Sequence, residues 1–209
     1  LTNSVIREND GYGLVVERLC ILREFENNTF ENNAEAAVLM EAPNVGELDA
    51  SSSYTGGNGY EGVEIAGTTG NNLMTDDATW PPLSYYVSDD IEVRSTLTIE
   101  AGATLEFEAN TSIRFDIDQF GPEDGVIIAE GTSTNPITFT GFQKTAGYWA
   151  GIIVQSNSNQ NSMENCIVEY GGSDPISSGL AGNIALDKDG AFDPPVLSIN
   201  NSTISNSAG

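Results

Sequence analysis

The residues whose types and spacing could do chemistry are mostly carboxylates. At 187–193 the chain reads Asp-Lys-Asp-Gly-Ala-Phe-Asp, which sets Asp187, Asp189 and Asp193 around Gly190. Hard oxygen ligands at alternating positions with a glycine turn are what Ca²⁺ loops use, although the closing bidentate Glu of a full twelve-residue loop is absent. Calcium is the one cofactor the sequence suggests, against the plainer reading of a solvated acidic loop. Acid pairs recur at Asp76–Asp77, Asp89–Asp90 and Asp116-x-Asp118. A glycoside hydrolase needs two carboxylates at a set distance, but such abundance makes no single pair diagnostic. A lyase acting on uronic acids needs a base and a cation for the substrate carboxylate. The five Arg and two Lys are scattered, at 7, 18, 23, 94, 114, 144 and 188, and mark no catalytic cluster. Tyr85, Tyr86 and Tyr148 are candidates for stacking on sugar rings, whereas Trp149 opens an apolar run and is read as core. The residues therefore name no catalytic group. The alternative of a polysaccharide-binding or polysaccharide-degrading domain stays open.

Charge narrows the partners. Against seven Lys and Arg stand 31 Asp and Glu, a net of −24 with no His. Such a surface repels nucleic acid, which is held through cations, and repels anionic membranes. No run approaches the roughly 18 apolar residues of a membrane span. Cys20 and Cys166 show no CxxC spacing and imply neither a zinc site nor a disulfide framework. Cys166 reads as a small buried hydrophobe.

The elements that would position these groups are short and β-prone. Runs at 63–67, 97–102, 104–109, 112–117, 125–131, 136–141 and 151–156 alternate or cluster apolar residues between Gly, Asn, Ser and Asp. That is an all-β signature. The stretch 13–25, the nearest thing to a helix, also reads as strand.

Repetition separates a solenoid from a sandwich. One motif recurs at 3–9, 27–33, 165–171 and 201–207, each copy opened by Asn (Asn3, Asn27, Asn165, Asn201) with an apolar residue three places on (Ile6, Phe30, Val168, Ile204). The first two copies are 24 residues apart and the last two 36, with the excess in the loop-like stretch 172–195. One coil of a solenoid takes about 20–45 residues. Winding brings like residues over like. The apolar residues are then expected to form core columns, and the four Asn an amide ladder at corners where left-handed backbone is needed. The expected fold is all-β, a right-handed parallel β-helix with open, uncapped ends. Residues 1–11 also resemble 198–209, an offset of 198 that suggests one period of a tandem array. Trp80, Pro81 and Pro82 mark a seam, giving closing coils at 1–72 and opening coils at 73–209, or else one continuous solenoid with a long loop.

The runs "LTIEAGATLEFEA", "GVIIAEGTSTNPITFTG", "GYWAGIIV" and "NSMENCIVEYGGS" together resemble pectin-lyase-like parallel β-helix regions of large secreted bacterial proteins. The resemblance covers residues 73–209 well, and 1–72 look like closing coils of the same kind of region. It departs at Trp149-Ala150-Gly151-Ile152, where one residue intervenes in a Trp-Gly-Ile-like element. The Asn-Thr-Asp, Gly-His-Gly and Arg-Ile-Lys signatures of β-helical galacturonases are missing. The resemblance implies an extracellular or cell-surface setting. Together with the repeats it leads us to expect a structural or adhesive module that stacks head to tail on itself or on neighbouring repeats, with glycans as further partners.

Overall fold

The seven β runs expected between 63 and 156 all contain strands, each paired with the run one coil away, whereas of the stretch 13–25 only Leu14–Val16 is strand. The computed structural model describes residues 1–18, 20–67, 72–116, 124–173, 181–188 and 193–208. Among them the first coils hold β1 (Val5–Arg7), β2 (Leu14–Val16), β3 (Thr29–Glu31), β4 (Ala36–Met40), a 3₁₀ helix (Ala42–Glu47), β5 (Tyr60–Ile65) and β6 (Asn72–Met74). Three-strand coils follow: β7 (Ala78–Trp80), β8 (Ser84–Val87) and β9 (Ile91–Val93), then β10 (Thr96–Ile99), β11 (Thr104–Phe107) and β12 (Ser112–Phe115). Next come β13 (Val126–Glu130), β14 (Ile137–Gly141) and β15 (Gly151–Val154), then β16 (Ser162–Glu164), β17 (Cys166–Glu169) and β18 (Ile184–Leu186). The last strands are β19 (Ser198–Asn200) and β20 (Thr203–Ser205).

All pairings are parallel and collect into sheets ordered β19-β16-β13-β10-β7, β2-β4-β5-β8-β11-β14-β17-β20 and β18-β15-β12-β9-β6, with β1-β3 as a separate pair. This is a parallel β-helix. From β5 onward chain neighbours fall on different sheets and sheet neighbours are one coil apart, whereas β4 and β5, joined through the 3₁₀ helix, pair within one sheet. The pair β5–β8 joins strands on either side of the 72/73 position where the sequence suggests a seam, and β6 itself spans that position.

Alternation along each strand sends every second side chain inward. In the eight-stranded sheet one inward column runs Leu14, Val38, Val63, Tyr85, Leu105, Phe139, Val168, Ile204. A second runs Val16, Met40, Ile65, Val87, Phe107. Each buried aliphatic or aromatic side chain contributes about 1.5–3 kcal/mol, so the columns stiffen the axis as well as stabilise it. Coils pack backbone to backbone at Gly62, where a Cβ would lie 2.2 Å from the Ser84 carbonyl oxygen.

The four copies of the Asn motif do not share one column. Ile6 pairs with Phe30 in the two-stranded sheet. Val168 pairs with Ile204 in the eight-stranded sheet. Phe30 stacks instead between Phe25 and Tyr54, with ring centroids 6.3 and 5.7 Å away. The local signature is nevertheless common to all four, since Asn3, Asn27, Asn165 and Asn201 have φ of 49°, 53°, 47° and 48°. Asn tolerates this left-handed geometry better than most residues, so the motif encodes a corner. The offset of 198 residues thus superposes two corners of one kind that belong to different sheets.

Candidate functional site

The outward face of the eight-stranded sheet gathers the aromatic and acidic side chains. Strand β8 reads Ser-Tyr-Tyr-Val, and its alternation turns Tyr85 inward and Tyr86 outward. Tyr85 is fully buried, its ring centroid 5.4 Å from that of Trp80 and its hydroxyl donating to the Pro81 carbonyl at 2.6 Å. It is a core residue, which corrects its place among the sugar-stacking candidates. Tyr86 and Tyr148 are on the surface, and both donate to one carboxylate, Glu108, at 2.5 Å each.

Tyr148 reaches Glu108 because its neighbour is anchored inside. Trp149 is buried, stacks on Phe107 with centroids 4.2 Å apart, and donates its indole N–H to the Glu169 carbonyl at 2.8 Å. That anchor fixes the connection between β14 and β15, and the next residue back faces out. The same connection supplies Phe142, 45% exposed, with its ring centroid 4.9 Å from that of Tyr86. Tyr60 lies 5.7 Å from Tyr86 on centroids. Tyr60, Tyr86 and Phe142 form an aromatic row over the coils of β5, β8 and β14.

Carboxylates flank the row. One outward column reads Leu39, Glu64, Tyr86, Glu106, Thr140, Glu169 in register. Glu64 accepts from the Tyr12 hydroxyl at 3.1 Å and from Ser88 Oγ at 2.9 Å. Glu106 accepts from Tyr60 at 3.2 Å and from Lys144 Nζ at 3.0 Å, and Glu169 accepts from Thr140 Oγ1 at 3.3 Å. The backbone N–H of Ala109, then the hydroxyls of Tyr148 and Tyr86, hold the Glu108 carboxyl below the ordinary carboxylate range. Burial, then the adjacent Glu64, pushes the Tyr12 phenol up to about 12. Burial and the Glu108 hydrogen bond raise Tyr86, and the Glu108 hydrogen bond leads the rise at Tyr148. Around neutrality the phenols keep their protons and Glu108 stays ionised. The face therefore offers aromatic rings and hydrogen-bond acceptors. Rings beside convergent polar groups are what sugar sites use.

The other sequence candidates lie elsewhere. Asn165 Nδ2 donates to the Gly131 carbonyl at 3.1 Å and Asn201 Nδ2 to Glu164 at 3.4 Å, while Asn3 and Asn27 are exposed. An amide ladder does form, but from Asn9, Asn33 and Asn58, with Nδ2-to-Oδ1 distances of 2.7 and 2.8 Å. Asn9 and Asn33 close the first two motif copies at the same 24-residue spacing, the signal that would have found them. Asn33 is buried at the corner after β3 and takes the exposed Asn9 as its donor, whereas the opening Asn residues hold left-handed backbone geometry. Asp187 is buried and accepts from Gln155 at 3.2 Å. Asp193 is exposed and accepts from Asn157 at 3.3 Å, so these two carboxylates meet different partners. Asp189 lies outside the described residues. A polar groove of about 320 Å³ on the β6-β9-β12 side is lined by Asn72, Asp90, Glu92, Ser112 and Arg114. Its Asp90 is taken up by the N–H and hydroxyl of Ser112, at 2.7 and 2.8 Å.

Comparison with known proteins bears on the fold. A family model described as a pectate-lyase-like beta helix domain matches residues 72–191, more than half of the chain. No curated protein and no solved structure matches.

Proposed function

The chain belongs to the family of pectate-lyase-like β-helix domains, and from that premise we propose that it is an extracellular structural and adhesive module that holds glycans on the outer face of its eight-stranded sheet. One observation carries this reading: the row Tyr60–Tyr86–Phe142, edged by Glu64, Glu106 and Glu108, on a rigid parallel sheet. Pyranose rings present apolar faces that stack on aromatics and hydroxyls that donate to carboxylates. The strands beneath hold these groups in place, so little ordering entropy opposes binding.

The test is a glycan panel read by calorimetry, with Phe142→Ala as the variant, since Phe142 is half-exposed and its loss leaves the core intact. The expected result is binding of an extended glycan that Phe142→Ala weakens roughly 2–10-fold, the worth of one aromatic contact. No binding across the panel, or binding indifferent to this change, overturns the proposal. Cleavage products in the same mixtures would replace adhesion by turnover.

A second reading concerns assembly, and the ends of the inward column favour it. Ile204 is 48% exposed on one terminal strand of the eight-stranded sheet, and Leu14 ends the same column, partly buried, on the other, β2. Unpaired strand edges invite further pairing. We propose that β20 of one copy stacks on β2 of a second, so that the column continues from Ile204 to Leu14.

A further inference from the structure

Resting on the glycan-binding reading, the geometry points to a particular ligand class: we propose that the face takes a linear, extended polymer of amino sugars whose ammonium groups pair with the outward glutamates. The register carries the argument. Glu64, Glu106 and Glu169 occupy alternate positions of one outward column, separated by Tyr86 and Thr140. Neighbouring strands are about 4.8 Å apart, so these carboxylates repeat at roughly 9–10 Å along the axis. An extended 1,4-linked glycan with equatorial linkages turns the same edge to one side once every two sugars, a step of the same order. A chain lying along the axis would bring an amine to each glutamate in turn and lay a ring against Tyr86 and Phe142.

The protein already seats one ammonium on this column. Lys144 Nζ donates to Glu106 Oε1 at 3.0 Å, Thr140 Oγ1 at 3.3 Å and the Gly141 carbonyl at 3.0 Å. The outer two positions differ. Glu64 is met by the hydroxyls of Tyr12 and Ser88, and Glu169 by that of Thr140, and these donors leave the negative charge in place. Neither is in an ion pair among the described residues. The field of the whole chain, at −24, draws a polycation toward the face and turns a polyuronate away.

The test compares three oligomer series of equal length with the whole chain by calorimetry: glucosamine at a pH where its amine is protonated, N-acetylglucosamine, and galacturonate. Glucosamine oligomers are expected to bind tightest, and added salt to weaken them through screening. Glu64→Gln and Glu169→Gln are each expected to cost about 2–5-fold in affinity, the range of a partly exposed ion pair. Lys144→Gln acts in the opposite sense, since it frees Glu106 and tightens glucosamine binding by a similar factor. Equal or tighter binding of the acetylated series, insensitivity to salt, or weaker binding by Lys144→Gln overturns the amino-sugar assignment and leaves the glycan face standing. Failure of all three series to bind, with no other glycan of the wider panel binding, removes both readings.

Discussion

Replacing Asn33 separates the two roles that asparagine plays in this solenoid. Asn33 is 1% exposed, with Nδ2 donating to Asn58 Oδ1 at 2.8 Å and to the Ile6 carbonyl at 3.3 Å, and Oδ1 accepting from Asn9 Nδ2 at 2.7 Å and from the Asn9 backbone N–H at 3.4 Å. Asn33→Ala removes all four. Asn9 is exposed and recovers a partner from water, while the two bonds made by Nδ2 lie on the inner side. At about 1 kcal/mol per net hydrogen bond, with a further penalty for an acceptor left dry, the loss is about 2–3 kcal/mol. Asn27 is the control. It is exposed with φ 53°, so Asn27→Ala costs about 1–2 kcal/mol of left-handed strain. Asn27→Gly relieves that strain and should be close to neutral. Asn33→Gly should be at least as damaging as Asn33→Ala, because glycine supplies no amide. Urea unfolding followed by circular dichroism measures all four. If Asn33→Ala costs no more than Asn27→Ala, or if glycine rescues position 33, the ladder contributes nothing beyond turn geometry and the reasoning fails.

Two further outcomes follow from the face and the edges. The Glu108 carboxyl lies below its ordinary value, so its stabilising contribution is present above the usual carboxylate range and is lost as pH falls through the lowered value. The rise at Tyr148 owes first to Glu108, so Glu108→Gln should move a phenol midpoint back toward the ordinary tyrosine value in a titration of phenolate absorbance; an unmoved titration curve refutes the clamp. In sedimentation velocity across a concentration series, the whole chain should associate and Ile204→Asp should suppress it, whereas a monomer throughout refutes stacking between copies.

Strand positions were legible because they are local. The run at 104–109 contains β11 with Leu105 and Phe107 inward and Glu106 outward, as period-two alternation requires. Trp149 and Cys166 sit in the core where their apolar neighbours put them. The same alternation, applied to Ser84–Val87, would have separated Tyr85 from Tyr86, since two adjacent strand residues cannot both face out. Tyr12, Tyr60 and Phe142 gave no such cue. Each is an isolated aromatic in a turn-rich stretch, and only winding brings them to the Glu64, Glu106 and Tyr86 positions.

By itself, then, the sequence determined that this chain winds, where most of its strands lie and that Trp149 and Cys166 enter the core, because each of these is settled within a few residues by backbone preference and apolar periodicity. The tertiary structure alone decided which coil lies on which. That depends on the accumulated length of every connection, from the 24-residue spacing of the first coils to the longer turns that follow. Stacking order placed Tyr86 and Tyr148 on one carboxylate, set glutamates on alternate positions of a column, and divided four copies of one motif between two sheets.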